Sequence, residues 1–227
     1  MIQLIESVKP SIVGVGLYDP LAAPKATLMA TGFAVAGGDL IATNAHAVPE
    51  LDPSRKQNIA VLLPGRHSSR VYEATLVAKD EVHDLAILRI RGHNLPPLTL
   101  SNMEVKEGLD IAFTGFPIGT MLGLHPVTHK GMIASIAPVM LPVANVSELT
   151  AAQLKILRNP YSVFQLNATA YPGNSGSPVY DVDSGEVVAI INKVLLTSNK
   201  ESALTHPSAI TYSVPVKHLK ELLRSIR

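Results

Sequence analysis

Hydrophobic positions in this chain fall in short runs, alternating or filled, and Gly, Pro, Asp or Asn closes nearly every run. That is the pattern of β-strands joined by tight turns. SIVGVGL (11–17), TGFAVAG (31–37), LIATNA (40–45), NIAVLLP (58–64), VYEATLVA (71–78) and LAILRI (85–90) make a first set. IAFTGFP (111–117), GMIASIAPV (131–139), SVFQLNA (162–168), PVYDV (178–182), VVAIINKVLL (187–196) and AITYSV (209–214) make a second. A stretch containing Pro, Asn and Gly, near 93–109, separates them. Six strands on each side predict an all-β chain built as two similar barrels or sandwiches.

Three segments carry the helical period instead. Ile2, Ile5 and Val8 sit three apart and stop before Pro10, which predicts one or two turns of leading helix. In SELTAAQLKILRNP, Thr150 and Gln153 have the spacing of a capping box, and Asn159-Pro160 is a stop. In VPVKHLKELLRSIR, Val216, Leu219, Leu222 or Leu223, and Ile226 share one face behind Pro215, and Lys220, Arg224 and Arg227 suit the helix dipole.

Composition narrows what such a fold can do. Hydrophobic residues are 47% of the 227 positions and charged residues 16%, which argues for a packed core and against disorder. The length suits one large domain or two small ones. A net charge of +1 gives no basic field for nucleic acid. The absence of cysteine excludes disulfides, thiolate metal sites and thiol nucleophiles. His67, His93, His125, His129, His206 and His218 lack the ligand spacing of a zinc helix, so no metal is expected. The longest strongly apolar uncharged stretch, 131–147, is broken by Pro138 and Pro142 and is too short to span a bilayer. The opening MIQLIESVKP carries Glu6 and no basic cluster, so no signal peptide is expected in the chain as given. The compartment then depends on whether a leader precedes it: cytoplasmic without one, periplasmic or secreted with one.

Three places hold polar residues in unusual settings. LIATNAHAV runs an apolar strand into Asn44 and His46; Asp84 opens the apolar LAILRI; and ATAYPGNSGSPVYD presents Ser175 between Gly173 and Gly176. A serine hydroxyl attacks only when a base takes its proton, and that base needs a partner to fix its other nitrogen. Gly173-Asn174-Ser175-Gly176 is also suited to turning the Gly173 and Ser175 amides toward a developing oxyanion. His46 and Asp84 lie in the first strand set and Ser175 in the second, so a cleft between the halves must unite them. Singly, each is more often a surface or turn residue; His83, if it shares a strand with Asp84, faces the other way, solvated or packed.

TNAHAV, HDLAILRI and NATAYPGNSGSPVY, in this order, resemble the chymotrypsin-fold (trypsin-like) serine peptidases, closest to the HtrA/Deg protease domain. ESVKPSIVGV and ITYSVPVKHLKELL are similar to that domain's start and end. The resemblance implies two six-stranded antiparallel barrels with a C-terminal helix and short accessory helices. Residues 1–100 would carry the His and Asp, and 101–227 the Ser, as one protease domain without a PDZ module. It implies a serine endopeptidase with His46 as general base, Asp84 as its orienter and Ser175 as nucleophile. Gly173 and Ser175, with Asn174 nearby, would form the oxyanion hole. It also makes Thr169, Ala170, Ile190, Ile191 and Asn192 candidates for the primary specificity pocket, small and apolar with no carboxylate. Cleavage after small or aliphatic residues is expected, with the peptide added as a strand beside 187–196. Partners are therefore protein or peptide substrates, with no cofactor; relatives of this kind are commonly trimeric and exported, which leaves a homo-oligomer open.

The chain departs from that pattern at Ser177, where the family has glycine, at Asn167, where it often has Asp, at Tyr171, and in a longer insertion near 150–158. The helix at 151–158 and the polar loop 197–208 are expected beside the cleft, holding the unbound enzyme weakly active. The alternative is a catalytically weak or inactive protease-fold module that binds peptides or proteins, through an oxyanion site collapsed by Ser177. A structural β-domain is a third class. An α/β-hydrolase, for which Ser175, Asp183 and His206 have the right order, fails: β-favouring Val179-Tyr180 follows Pro178 where that fold needs a helix.

Overall fold

The computed structural model describes residues 1–65, 70–118, 124–139, 150–192 and 211–226. In the first half, β1 (Ile12–Tyr18), β2 (Ala26–Val35), β3 (Leu40–Thr43), β4 (Asn58–Leu63), β5 (Arg70–Asp80) and β6 (Leu85–Ile90) close a barrel in the order β1-β2-β3-β6-β5-β4. In the second, β7 (Asp110–Gly115), β8 (Val127–Pro138), β9 (Ser162–Leu166), β10 (Pro178–Asp181), β11 (Val187–Ile191) and β12 (Thr211–Pro215) close another in the order β10-β11-β12-β9-β8-β7. Neighbouring strands in both barrels run antiparallel. The all-β class and the two six-stranded barrels therefore stand as expected.

Side-chain alternation divides the apolar residues between three cores. Val13, Val15, Ile41, Val61 and Leu88 fill the first barrel, and Ile111, Phe113, Ile133, Val179 and Ile191 the second. The opposite faces meet between the barrels, where Phe33, Leu85 and Ile87 pack with Phe116, Tyr180 and Ile190. Each such side chain contributes roughly 1.5–3 kcal/mol by leaving water, so the seam is as well stabilised as either interior. Tyr180 keeps its hydroxyl satisfied there by a 2.8 Å bond to Thr114.

Three helices among the described residues close the structure. α1 (Ile2–Val8) buries Val8 and part of Leu4 against the seam and hands over through a 3₁₀ turn at Lys9–Ser11. α2 (Ala151–Arg158) starts with the anticipated capping box: Gln153 N donates to the Thr150 hydroxyl at 3.2 Å, and Thr150 N to Gln153 Oε1 at 2.8 Å. Its Ile156 packs with Val139, Val163, Val82 and Tyr161. α3 (Val216–Arg224) lays Val216, Leu219, Leu222 and Leu223 on the seam. Its Lys220 donates to the Ser101 carbonyl at 3.0 Å and to the Asn102 side chain, tying the helix to the inter-barrel connection. No described helix is long and apolar enough to cross a membrane.

Candidate active site

β3 ends at Thr43 and the chain turns through Asn44 into a 3₁₀ turn, Ala45–Ala47, that carries His46. Asp84 sits in the turn between β5 and β6 with φ of 53°, a left-handed conformation that an Asp tolerates better than most residues. Four donors from the His46 segment hold it. Asn44 Nδ2 and Ala45 N donate to its backbone carbonyl at 3.0 and 3.1 Å, His46 N donates to carboxylate Oδ1 at 2.9 Å, and His46 Nδ1 lies 2.6 Å from Oδ2. Both carboxylate oxygens are thereby engaged by one residue, which fixes the ring and turns Nε2 away from the carboxylate. The pair is partly shielded, with side-chain exposures of 35% for His46 and 17% for Asp84.

Ser175 lies in the turn before β10, where Gly173 and Gly176 have φ of 98° and 83°. A Cβ at Gly173 would overlap the Phe116 carbonyl oxygen, and one at Gly176 the Thr31 carbonyl oxygen, so both positions require glycine on two counts. The carbonyls of residues 172–175 are each tethered. Ile118 N donates to Pro172 O at 2.6 Å, Thr31 Oγ1 to Gly173 O at 2.7 Å, Ser177 N to Asn174 O at 3.0 Å and Thr31 N to Ser175 O at 2.9 Å. In a trans peptide the N–H points away from its carbonyl. Anchoring Pro172 O and Asn174 O therefore turns the Gly173 and Ser175 amides to the other side, and neither donates a hydrogen bond among the described residues. Ile118 supplies its N–H from φ of 49°, a strained position for a β-branched residue that costs about 1–2 kcal/mol.

Thr31 was not singled out by the sequence, yet it joins the halves. Its carbonyl accepts from Thr43 Oγ1 at 2.8 Å, its hydroxyl accepts from Phe116 N at 3.0 Å, and it is fully buried. A single Thr of β2 thus touches both the strand leading to His46 and the Ser175 turn.

The departures have physical explanations. Ser177 points at Gly115, where a Cβ would collide with the Ser177 hydroxyl; the missing side chain opposite makes the room that the family's glycine makes elsewhere. Asn167 Oδ1 accepts from Met132 N at 2.8 Å, an anchoring role that a neutral amide fills. Tyr171 accepts from Asn174 N at 3.0 Å through its carbonyl, and its ring lies near His129, itself stacked on Phe113 at 4.7 Å. Burial holds the His129 imidazole below its ordinary pKa.

Several expectations need correction. Asn174 is fully buried, so its side chain lies beneath the turn and only its backbone belongs to it. Ile190 packs in the inter-barrel seam and Ile191 faces the second barrel with Ala168 and Ala170; both are fully buried, so neither presents surface to a substrate. Thr169 and Ala170 are half-buried, and Thr211 holds them in place, accepting from Ala170 N at 2.9 Å and donating to Ala168 O. Asn192 N donates to Tyr212 O at 2.9 Å. β11 is paired on both edges, with β10 and β12, so no substrate strand can join 187–191. Lys193 and the loop 197–208 lie outside the described residues.

His83 also differs from its expectation, because it shares a turn with Asp84 and not a strand. Its Nδ1 lies 2.6 Å from Asp80 Oδ2, its ring stacks on His218 of α3 at 3.7 Å, and Tyr161 packs edge-on to both. Burial, then the charges of Asp84 and Asp80, push the Tyr161 phenol well above its usual pKa. Burial, then His83 and Lys217, bring His218 down to about 4, with Glu221 pulling the other way. His218 is thus neutral when folded and takes up a proton near 6.5 when unfolded. Stability should fall as pH drops from about 6.5 to about 4 and level off below, by roughly 1–2 kcal/mol after solvent screening. Urea midpoints across that window check this: His218→Gln should flatten the slope, and an equal slope in both proteins would refute the assignment.

A family model for the trypsin-like peptidase domain matches residues 30–190. A probable periplasmic serine endoprotease, DegP-like, of Halomonas elongata is 30% identical over 190 residues, which cover 83% of this chain and 34% of that protein. The mitochondrial serine protease HTRA2 of Bos taurus is 30% identical over 195 residues, 85% of this chain and 35% of that one. The chain spans about a third of the length of these curated relatives. Among solved structures, the active form of the Rv3671c protease from M. tuberculosis superposes with a TM-score of 0.71 at 21% identity, covering 98% of this chain and 83% of that one. The serine endoprotease from Yersinia pestis superposes with a TM-score of 0.66 at 21% identity, covering 99% of this chain and 65% of that one.

Proposed function

Because the chain belongs to the trypsin-like peptidase domain family, we propose that it is a serine endopeptidase using His46, Asp84 and Ser175. The observation that carries this is the His46–Asp84 pair at 2.6 Å, built into a barrel whose β2 holds the Ser175 turn. Asp84 keeps the proton of His46 on Nδ1, so Nε2 accepts the Ser175 proton as Oγ bonds to the scissile carbonyl carbon. The carbonyl becomes an oxyanion, and the uncommitted Gly173 and Ser175 amides stabilise it. His46 then gives the proton to the departing amine as the C–N bond breaks, leaving an acyl-enzyme. Water repeats the sequence in reverse and frees the acid.

The substrate is a protein or peptide cut after small or aliphatic residues. Thr169 and Ala170, both half-buried, offer an uncharged, modest surface, with no carboxylate to receive a Lys or Arg. Peptide backbone would have to bind elsewhere than along β11, both of whose edges are occupied. Purified protein treated with a fluorophosphonate probe should label at Ser175, and Ser175→Ala should not. Cleavage of a peptide library should follow Ala, Val or Leu. An unlabelled wild-type chain would overturn the enzymatic reading, and a profile dominated by Arg and Lys would overturn the specificity.

A further inference from the structure

We propose that Thr31 is a positioning residue for peptide hydrolysis, its hydroxyl setting the Ser175 turn from the opposite barrel. This rests on the serine-peptidase reading above. The Thr31 hydroxyl is a two-way connector: it donates to Gly173 O at 2.7 Å and accepts from Phe116 N at 3.0 Å, wholly out of water. Its backbone N–H meanwhile donates to Ser175 O at 2.9 Å. Two carbonyls that flank the nucleophile are therefore held by one side chain and one amide of β2.

The same residue is coupled to the other half of the site. Thr43 Oγ1 donates to Thr31 O, and Thr43 is followed directly by Asn44, whose amide group holds the Asp84 carbonyl at 3.0 Å. A continuous path of hydrogen bonds and backbone runs from Asp84 through Asn44, Thr43 and Thr31 to Gly173 and Ser175. The base and its carboxylate are fixed within one barrel and the nucleophile within another, so the distance between them depends on how the barrels are joined beneath the turn. Displacement of a reacting group by as little as 1 Å costs about a hundredfold in rate, and a bond carried across the seam at this point suppresses that displacement.

Valine is the informative replacement, because it keeps the β-branched shape that suits β2 while deleting both hydroxyl bonds and leaving the backbone bond to Ser175. The experiment measures acylation by a fluorophosphonate, together with kcat and KM on an alanine or valine thiobenzyl ester, for the wild type and for Thr31→Val, Thr31→Ser and Thr43→Val. Thr31→Val should lower kcat and the acylation rate about a hundredfold, with KM within about twofold. Thr31→Ser, which restores the hydroxyl, should recover to within about threefold of wild type. Thr43→Val, which leaves Thr31 in place and removes only the donor to its carbonyl, should slow acylation about tenfold with KM again unchanged. This arm keeps the test decisive if Thr31→Val does not fold.

Wild-type acylation in Thr31→Val or Thr43→Val, or a Thr31→Ser variant as slow as Thr31→Val, would overturn the proposal. Labelling of the wild type shows in the same experiment that the serine-peptidase reading survives such a failure. A wild type that does not label sinks both.

Discussion

Asp84→Asn should reduce kcat/KM on a peptide substrate by about 10⁴-fold while leaving the fold in place. The two side chains are the same size, and most of what holds Asp84 is independent of its charge. Asn44 Nδ2 and Ala45 N donate to its backbone carbonyl, and a side-chain amide oxygen can still accept from His46 N. The loss is confined to the 2.6 Å contact with His46 Nδ1. An asparagine places an NH₂ there, which can meet only an unprotonated Nδ1, so the neutral imidazole must carry its proton on Nε2 instead. That nitrogen then faces the serine as a donor and cannot remove its proton. The imidazolium formed during attack also loses the neighbouring negative charge. Steady-state kinetics on a chromogenic peptide, with thermal unfolding as the control, measures the effect. An Asp84→Asn enzyme within tenfold of wild type would show that this carboxylate does not orient the base.

Gly173→Ala is expected to remove at least about 10²-fold of turnover, by a different route. The residue has φ of 98°, a conformation closed to L side chains, and an added methyl group would overlap the Phe116 carbonyl oxygen. The turn can relieve both only by rotating the peptide units on either side of position 173. That rotation breaks the tether from Ile118 N to Pro172 O or that from Thr31 Oγ1 to Gly173 O, and swings the Gly173 amide with it. The His46–Asp84 pair lies in the other barrel and should be untouched. The signature is therefore a fall in kcat with little change in KM, alongside an unshifted NMR signal for the proton shared by His46 and Asp84. Undiminished turnover would show that this amide is dispensable.

How much of this was legible beforehand follows from the range over which each feature is encoded. Strands such as LAILRI and VVAII declare themselves as short, filled apolar runs closed by turn residues, and the two-barrel plan follows from counting them. His46, Asp84 and Ser175 stand out because each is polar at the end of an apolar run, so local contrast marks them. Thr31 has no such mark. It lies in a strand where threonine is unremarkable in pattern, and its bond to Gly173 spans 142 positions, a separation along which no periodicity acts. The accommodation of Ser177 by Gly115 is hidden for the same reason, since a missing side chain matters only once another element faces it. Parity separates Ile190 from Ile191: a run buried on both faces gives no alternation, and only the pairing of Ile190 with Val214 and Ile191 with Ser213 decides which core each enters. A peptide strand beside 187–191 is ruled out likewise, because edge status belongs to the whole sheet.

The contact between His218 and His83 bears on the order in which this molecule comes into being. Synthesis proceeds from the amino end, and domains tend to organise as they emerge. A nascent chain that already contains His46, Asp84 and Ser175 still lacks α3, whose His218 imidazole stacks on His83 beside Asp84 and whose leucines pack in the seam between the barrels. Until α3 has been made, the apolar side chains at the seam between the barrels lack the Val216 and Leu219 that cover them.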